Sequence, residues 1–260
     1  MAIDVDTDIG AELGQIAAEA ARLILPLWRT GLEVVSKADD SPVTEADRRA
    51  ERLILEGLER RFAGVPVISE EHASEFGTPG AIGPRFFLVD PLDGTKAFVR
   101  GDPHFTVNIA LIEEGTAVAG AVAAPATGEL WVTTPEGVLK RHGDGEPERV
   151  RPRAWPENAA LALISHTMKT ETADALAAQY GFHRREPMDS SIKFCRIAEG
   201  AADIYPRHGP TMEWDTAAGH AVLLAAGGSV TTPDGEPFAY GKASEGFRNG
   251  WFVARGLKAV

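Results

Sequence analysis

Five carboxylates stand where a folded chain could bring them together: Asp47, Glu70, Asp90, Asp93 and Asp215. The strongest signal lies in Asp90 and Asp93. An apolar run, residues 86–89 (FFLV), leads directly into Asp90-Pro91-Leu92-Asp93-Gly94-Thr95. Such a run, closed by Pro, Asp and Gly, reads as a buried strand ending in a tight turn. Strand ends are where open α/β sheets hold ligands. A turn needs only one of the two aspartates, and the strand is too apolar for a surface hairpin, so the pair points to chemistry. Taken singly, the other three have structural explanations. Thr44-x-x-Asp47 is a capping-box pattern at a helix start, and capping alone accounts for Asp47. Glu70 and its neighbour Glu71 read equally as solvated loop charges. Asp215, at the start of an Ala-rich helix, is balanced between N-cap and ligand.

The joint pattern favours function. Several acids each follow an apolar strand or open a helix, and if they converge their repulsion is severe unless a cation neutralises it. The set is all oxygen, without His or Cys, which favours a hard ion, Mg²⁺ or Mn²⁺, over zinc. Two such ions can grip a phosphate, activate a water and stabilise the leaving oxygen. If residues 95–99 begin a short helix, its free N–H groups and dipole would hold a phosphate. Gly94 lets the backbone approach closely. The Thr95 hydroxyl can bond the attacking water and cap the helix as well.

These residues need elements to position them. Apolar spacing predicts a helix over 9–28 and a second starting near Thr44, with Ala46, Ala50, Leu53, Ile54 and Leu58 on its buried face. The polar stretch 37–41 separates the two. Residues 65–69 read as a strand delivering Glu70 and Glu71, and 77–84 as a loop. Beyond the central motif a meander is expected, with strands at 105–112, 117–124, 129–134 and 137–141. The polar stretch 142–156 is the candidate boundary between an N-terminal half, 1–150, with most of the acids, and a C-terminal half, 151–260, with Asp215. In the second half, strands are expected near 159–164, 202–206, 228–231 and 250–254, and helices near 170–180, 190–199 and 216–226.

Composition narrows the field. The chain has 260 residues, 44% hydrophobic and 25% charged, as expected of a globular protein of one large or two medium domains. A net charge of −12 without a basic cluster argues against nucleic acid or an anionic membrane as partner. One cysteine, Cys195, precludes an internal disulfide and, flanked by Phe194 and Ile197, reads as core packing. No secretory signal and no membrane-spanning run is evident. The expected location is the cytoplasm, with peripheral attachment to the inner membrane left open, as monomer or homodimer.

The motifs SPVTEAD (41–47), ISEE (68–71), DPLDGT (90–95) and WDTAAGHAV (214–222) resemble the inositol monophosphatase superfamily of magnesium-dependent, lithium-sensitive phosphatases. KADDSPVTEAD (37–47), DPLDGTKAF with FTVNIALI (90–112), SSIKFCRIAEG (190–200) and YPRHGPT (205–211) resemble its CysQ-type 3′(2′),5′-bisphosphate nucleotidases more closely. The resemblance implies a layered α-β-α-β-α sandwich of the α/β (α+β) class. It implies that Glu70, Asp90 and the Leu92 carbonyl hold one Mg²⁺, that Asp90, Asp93 and Asp215 hold a second, and that Glu70 and Asp47 assist a third. It assigns Thr95 and Asp47 to the nucleophilic water and Glu71 to an acid behind the metal site. Ser190, Lys193 and Arg207 match positions that contact the nucleotide, and a Lys and an Arg suit a second phosphate in so acidic a chain. Without the resemblance, Lys193 reads as a solvated helix residue.

Two departures affect the expected substrate, adenosine 3′,5′-bisphosphate and its sulfated precursor. Ser165-His166-Thr167-Met168 stands where many relatives read Ser-Arg-Ser-His, and Asp189 replaces a glycine before the two serines. His166 by itself reads as a surface or core histidine. The nearest rival is an inositol or sugar monophosphatase on the same fold. A phosphatase with an Asp-x-Asp-Gly-Thr nucleophile loop ranks low, because two residues separate the aspartates here. A metal-sensing module without turnover is disfavoured by the filled catalytic positions.

Overall fold

The computed structural model describes residues 8–30, 34–36 and 42–257. The acidic N-terminus, the polar stretch 37–41 and the Thr44 side chain of the capping-box pattern lie outside the described residues and side chains. In chain order the elements are α1 (Ile9–Thr30), β1 (Val34–Ser36), β2 (Pro42–Thr44), α2 (Glu45–Arg61), β3 (Val67–Ser69), α3 (Glu70–Phe76), β4 (Arg85–Asp93) and α4 (Thr95–Arg100). A meander follows: β5 (Thr106–Glu113), β6 (Thr116–Ala124), β7 (Glu129–Thr134), β8 (Gly137–His142) and β9 (Glu148–Val150). The remainder comprises β10 (Leu161–Ile164), α5 (Thr170–Tyr180), β11 (Arg184–Pro187), α6 (Ile192–Ala198), β12 (Ile204–Arg207) and β13 (Thr211–Met212). A 3-10 turn (Glu213–Asp215), α7 (Ala217–Ala225), β14 (Ser229–Thr231), a second 3-10 turn (Ala243–Glu245), β15 (Arg248–Asn249) and β16 (Phe252–Arg255) complete it.

Two sheets carry the fold. The larger runs β3-β4-β5-β6-β7-β8-β9, with β3 and β4 parallel and the rest antiparallel. The smaller runs β11-β10-β12-β16-β14. Strand alternation sorts the side chains into layers. Phe87, Val89, Ile109 and Leu111 face Leu13, Ile16, Ala50 and Ile54 of α1 and α2. Phe86, Leu88, Ala110 and Ile112 face the opposite way, onto Phe194 of α6 and Ala218 and Val222 of α7. Those helices pack in turn on Leu161, Leu163, Tyr205 and Phe252 of the smaller sheet. Its outer face, Ala162, Ile164 and Ile204, is covered by Ala173 and Leu176 of α5. The result is the α-β-α-β-α sandwich. Because β4 is buried on both faces, its sequence shows an unbroken apolar run instead of alternation.

Several segments differ from the sequence reading. The expected tight turn after residue 89 is absent; β4 continues to Asp93 through a bulge. Asp90 pairs with Asn108 and Asp93 with Thr106, so β4 has one residue more than β5 between those pairs. Pro91 has no N–H for the ladder, and the Leu92 N–H turns to Asp90 Oδ1 at 3.0 Å, which accounts for the interruption. Glu70 and Glu71 open the short helix α3, where acids are favoured by the dipole. Part of the polar stretch 142–156 forms the edge strand β9. Short strands β1, β2, β11, β13 and β15 have too few residues for a periodic signal. Among the described residues, no helix is long and apolar enough to cross a membrane.

The middle layer is tight where β6 meets α7. A Cβ on Gly120 would lie 2.9 Å from both the Ala218 carbonyl oxygen and the Ala221 Cβ, neither of which can rotate away. Gly120→Val is therefore expected to cost about 1–3 kcal/mol through overpacking. Urea denaturation measures it, with Gly80→Val, in open space, as control. An unchanged midpoint for Gly120→Val would contradict this packing.

Candidate active site

The bulge in β4 decides which way its carboxylates point. In a regular strand, residues three apart face opposite sides. Asp90 continues the Phe86 and Leu88 face, toward α6 and α7. The extra residue resets the alternation, so Leu92 joins the core beneath α1 and α2, and Asp93 returns to the side of Asp90. Both aspartates line one cleft of about 380 Å³, together with Glu70, Thr95, Lys193 and Arg207. Asp215 reaches the same cleft from the 3-10 turn ahead of α7, and Glu70 from the end of β3, the parallel neighbour of β4.

The carboxylate oxygens of Glu70, Asp90 and Asp215 lie within 4.8 Å of one another. Backbone amides hold two of these side chains: Leu92 N donates to Asp90, and Met212 N to Asp215 Oδ2 at 2.8 Å. Asp93 Oδ2 accepts from Ser191 N at 2.5 Å and from Asn108 Nδ2 at 3.5 Å. Burial pushes the Asp90 and Asp215 carboxyls well above the ordinary range, and their acidic neighbours push them further. Asp93 is raised to about 6 by burial, against the opposing charge of Lys193 and the Ser191 N–H. A hard divalent cation fits this donor set: clustered carboxylate oxygens, the three aspartates disfavoured as isolated anions, on strand and helix ends.

Thr95 opens α4, preceded by Gly94 at φ 90, a left-handed conformation that a side chain would strain. A Cβ at Gly94 would also come within 2.9 Å of the His104 carbonyl oxygen. Thr95 Oγ1 lies 3.0 Å from the Leu92 carbonyl and 3.3 Å from Asp47 Oδ1 and can donate its proton to either. Asp47 is buried in the first turn of α2. Glu71 is half-buried on α3, outside the carboxylate cluster and outside the cleft wall.

Lys193 is not a solvated helix residue. It is 4% exposed, donates to the carbonyls of Met188 and Ser190, and places its ammonium 4.8 Å from the Tyr205 ring centroid. Burial lowers it to about 8, with Asp93 opposing that shift. Ser190 sits in the cleft wall at φ 55, and Arg207 Nη2 donates to the Pro210 carbonyl at 3.2 Å. Ser165, Thr167 and Asp189 also line the cleft, and Asp189 is paired with Arg100 Nη2 at 2.6 Å. Cys195 is fully buried and its thiol is pushed well up by burial, as expected of a packing residue.

Supporting residues escaped the sequence reading. Ser191 Oγ bonds Asn108 Oδ1 at 2.6 Å and Thr106 Oγ1 at 2.9 Å, which fixes the two groups that hold Asp93. Their signal was available: a polar Asn and Thr on the site-facing positions of an otherwise apolar strand. Glu213, wholly buried, accepts from Gly241 N at 2.8 Å and Lys242 N at 3.0 Å and so ties down the turn that carries Asp215. Nothing in the local sequence of Glu213 distinguishes it from a surface acid.

Comparison with known proteins agrees with this architecture. The family model described as the Inositol monophosphatase family matches residues 4–257. The 3′(2′),5′-bisphosphate nucleotidase CysQ of Escherichia coli K12 is 40% identical over 228 residues, covering 87% of this chain and 91% of that protein. The CysQ of Buchnera aphidicola is 37% identical over 94% of this chain and 92% of that protein. The crystal structure of CysQ from Bacteroides thetaiotaomicron superimposes with a TM-score of 0.76 at 34% identity, covering 95% of this chain and 96% of that one. With a match over nearly its whole length, this chain belongs to the inositol monophosphatase family.

Proposed function

We propose that the chain is a cytoplasmic, Mg²⁺-dependent phosphatase that removes the 3′-phosphate of adenosine 3′,5′-bisphosphate, and also accepts the sulfated nucleotide. The observation that carries this reading is the convergence of Glu70, Asp90 and Asp215 in a cleft that also contains Lys193 and Arg207. The CysQ relatives, named as bisphosphate nucleotidases, supply the substrate class.

Glu70, Asp90, Asp93 and Asp215, with the Leu92 carbonyl, would hold two or three Mg²⁺ ions, Mn²⁺ being an alternative. When bound, these ions supply a nucleophilic water at neutral pH and charge neutralisation on the phosphoryl and leaving oxygens. The protein's own groups do the rest. Thr95 Oγ1 accepts a hydrogen bond from the attacking water and directs its own proton toward Asp47 Oδ1, so the pair orients a lone pair of that water on phosphorus. The Gly94-Thr95 backbone approaches the phosphate closely because Gly94 carries no side chain. Glu71, behind Glu70, adds negative charge at the metal site. Lys193 has three N–H donors and spends two on carbonyls, which leaves one for a second phosphate. Arg207 commits one of its five donors to Pro210 and faces the same space. The Ser190 hydroxyl adds a further donor there.

A phosphate-release panel tests the reading. Adenosine 3′,5′-bisphosphate is expected to be cleaved only with Mg²⁺ and to be inhibited by Li⁺. Faster cleavage of inositol 1-phosphate would assign the chain to the monophosphatase alternative. Lys193→Met, which keeps the buried volume, is expected to lower kcat/KM for the bisphosphate about 10- to 100-fold, the range for a lost charged hydrogen bond. The loss on a monophosphate should be much smaller. Equal losses on both would remove Lys193 from recognition of the second phosphate.

The raised carboxyl groups also set the pH dependence of stability. Their folded values exceed the unfolded value of about 3.9, so without cation they favour the folded state below that value. That advantage is lost as pH rises, through about 6 for Asp93. Mg²⁺ binds the ionised form, so it should raise Tm more at about pH 8 than at about pH 5. Thermal scans with and without Mg²⁺ measure this. An identical Mg²⁺-induced shift at both pH values would contradict it.

A further inference from the structure

A second group of ligand-bearing side chains lies apart from the carboxylate cluster. Asp102 and His104 stand in the loop between α4 and β5, and His166 in the loop after β10. Ligand atoms of the three lie within 4.8 Å of one another, although the loops belong to the regions of different sheets. His104 Nδ1 is 2.9 Å from Asp102 Oδ1, shielded from solvent, and makes no well-directed hydrogen bond among the described residues. Asp189 Oδ2 lies 4.0 Å from His166 Nε2.

We propose that Asp102, His104 and His166 form a divalent-cation site of the borderline, zinc-binding class, distinct from the oxygen-only cluster. Two imidazoles and a carboxylate are a donor set that zinc accepts, with a fourth position left for water or Asp189. Donors around such an ion stand about 3.4 Å apart at metal–ligand distances near 2.1 Å. His166, whose side chain is 38% exposed, has room to turn toward that spacing. The rival cation is Arg100. Its Nη2 is 2.6 Å from Asp189 and 3.8 Å from Asp102 Oδ2, while His104 Nδ1 lies beside the other oxygen, Oδ1. Arg100 thus offsets the charge of the two acids, but neither it nor another described residue gives His104 Nδ1 a hydrogen bond, and that shielded nitrogen is the atom a metal would engage. Nitrogen donors select a borderline ion where the carboxylate cluster selects a hard one, so excess Mg²⁺ does not displace zinc here. Occupancy would tie the loop carrying His104 to the loop whose Ser165 and Thr167 line the cleft.

Equilibrium dialysis of the full chain against Zn²⁺ in excess Mg²⁺ tests this, and Co²⁺ serves as a spectroscopic probe. One tightly held zinc per chain is expected, with visible Co²⁺ bands of a nitrogen-containing, low-coordinate site. His104→Ala and His166→Gln should each weaken zinc binding at least ~10-fold, the least loss seen when even an outer partner of a metal ligand is removed. Thermal melting checks that both variants fold, and His166→Gln, at an exposed side chain, is the milder of the two. Absence of retained zinc in excess Mg²⁺ would overturn the proposal. So would equal zinc affinity in wild type and both folded variants.

Discussion

Carboxylates gathered in a poorly solvated pocket cannot all remain anions unless something positive joins them. Asp90 and Asp215 are pushed far up by burial and by each other's surroundings, and Asp93 reaches about 6. A fold that serves only stability would replace such a cluster with apolar residues, because unpaired buried charge costs several kcal/mol. Here the rest of the structure works to keep it. The amides of Leu92, Met212 and Ser191 fix one oxygen of each aspartate, and Lys193 lies near enough to Asp93 to offset part of its cost.

The one-residue bulge in β4 is the local device that makes the cluster geometrically possible. It turns two aspartates three positions apart toward one side while Leu92 stays in the core on the other. The same kink ends the strand at Gly94, whose left-handed backbone starts α4 and brings Thr95 back over Leu92 and Asp47. Asp90, the Leu92 carbonyl, Asp93, Gly94 and Thr95 therefore come from a single stretch of ten residues, 86–95. Distant elements add one side chain each: Asp47 from α2, Glu70 from the end of β3, Asp215 from the turn before α7.

Much of this is legible in the sequence where the signal is local. The apolar run 86–89 and the acids after it announce a buried strand ending in a site, and the long amphipathic pattern of α1 and α2 announces the covering helices. Conformation at Pro91 is not legible in the same way: a Pro/Asp/Gly cluster fits a turn and a bulge equally, and only pairing with β5 decides between them. The buried state of Lys193 is hidden for the opposite reason. Its helix, α6, lies between two sheets, so the face that a two-layer fold would expose is covered. Glu213 and Ser191 act through backbone groups far away in the chain, which no local pattern can announce.

All of these features lead to one claim, that Glu70, Asp90 and Asp215 are assembled around a hard divalent cation. Crystals grown with Mn²⁺ and measured for anomalous scattering test it most directly. The account predicts a strong peak among those three carboxylates, beside Asp93 and the Leu92 carbonyl. Manganese found only at surface acids, with these carboxylates bare, would contradict it.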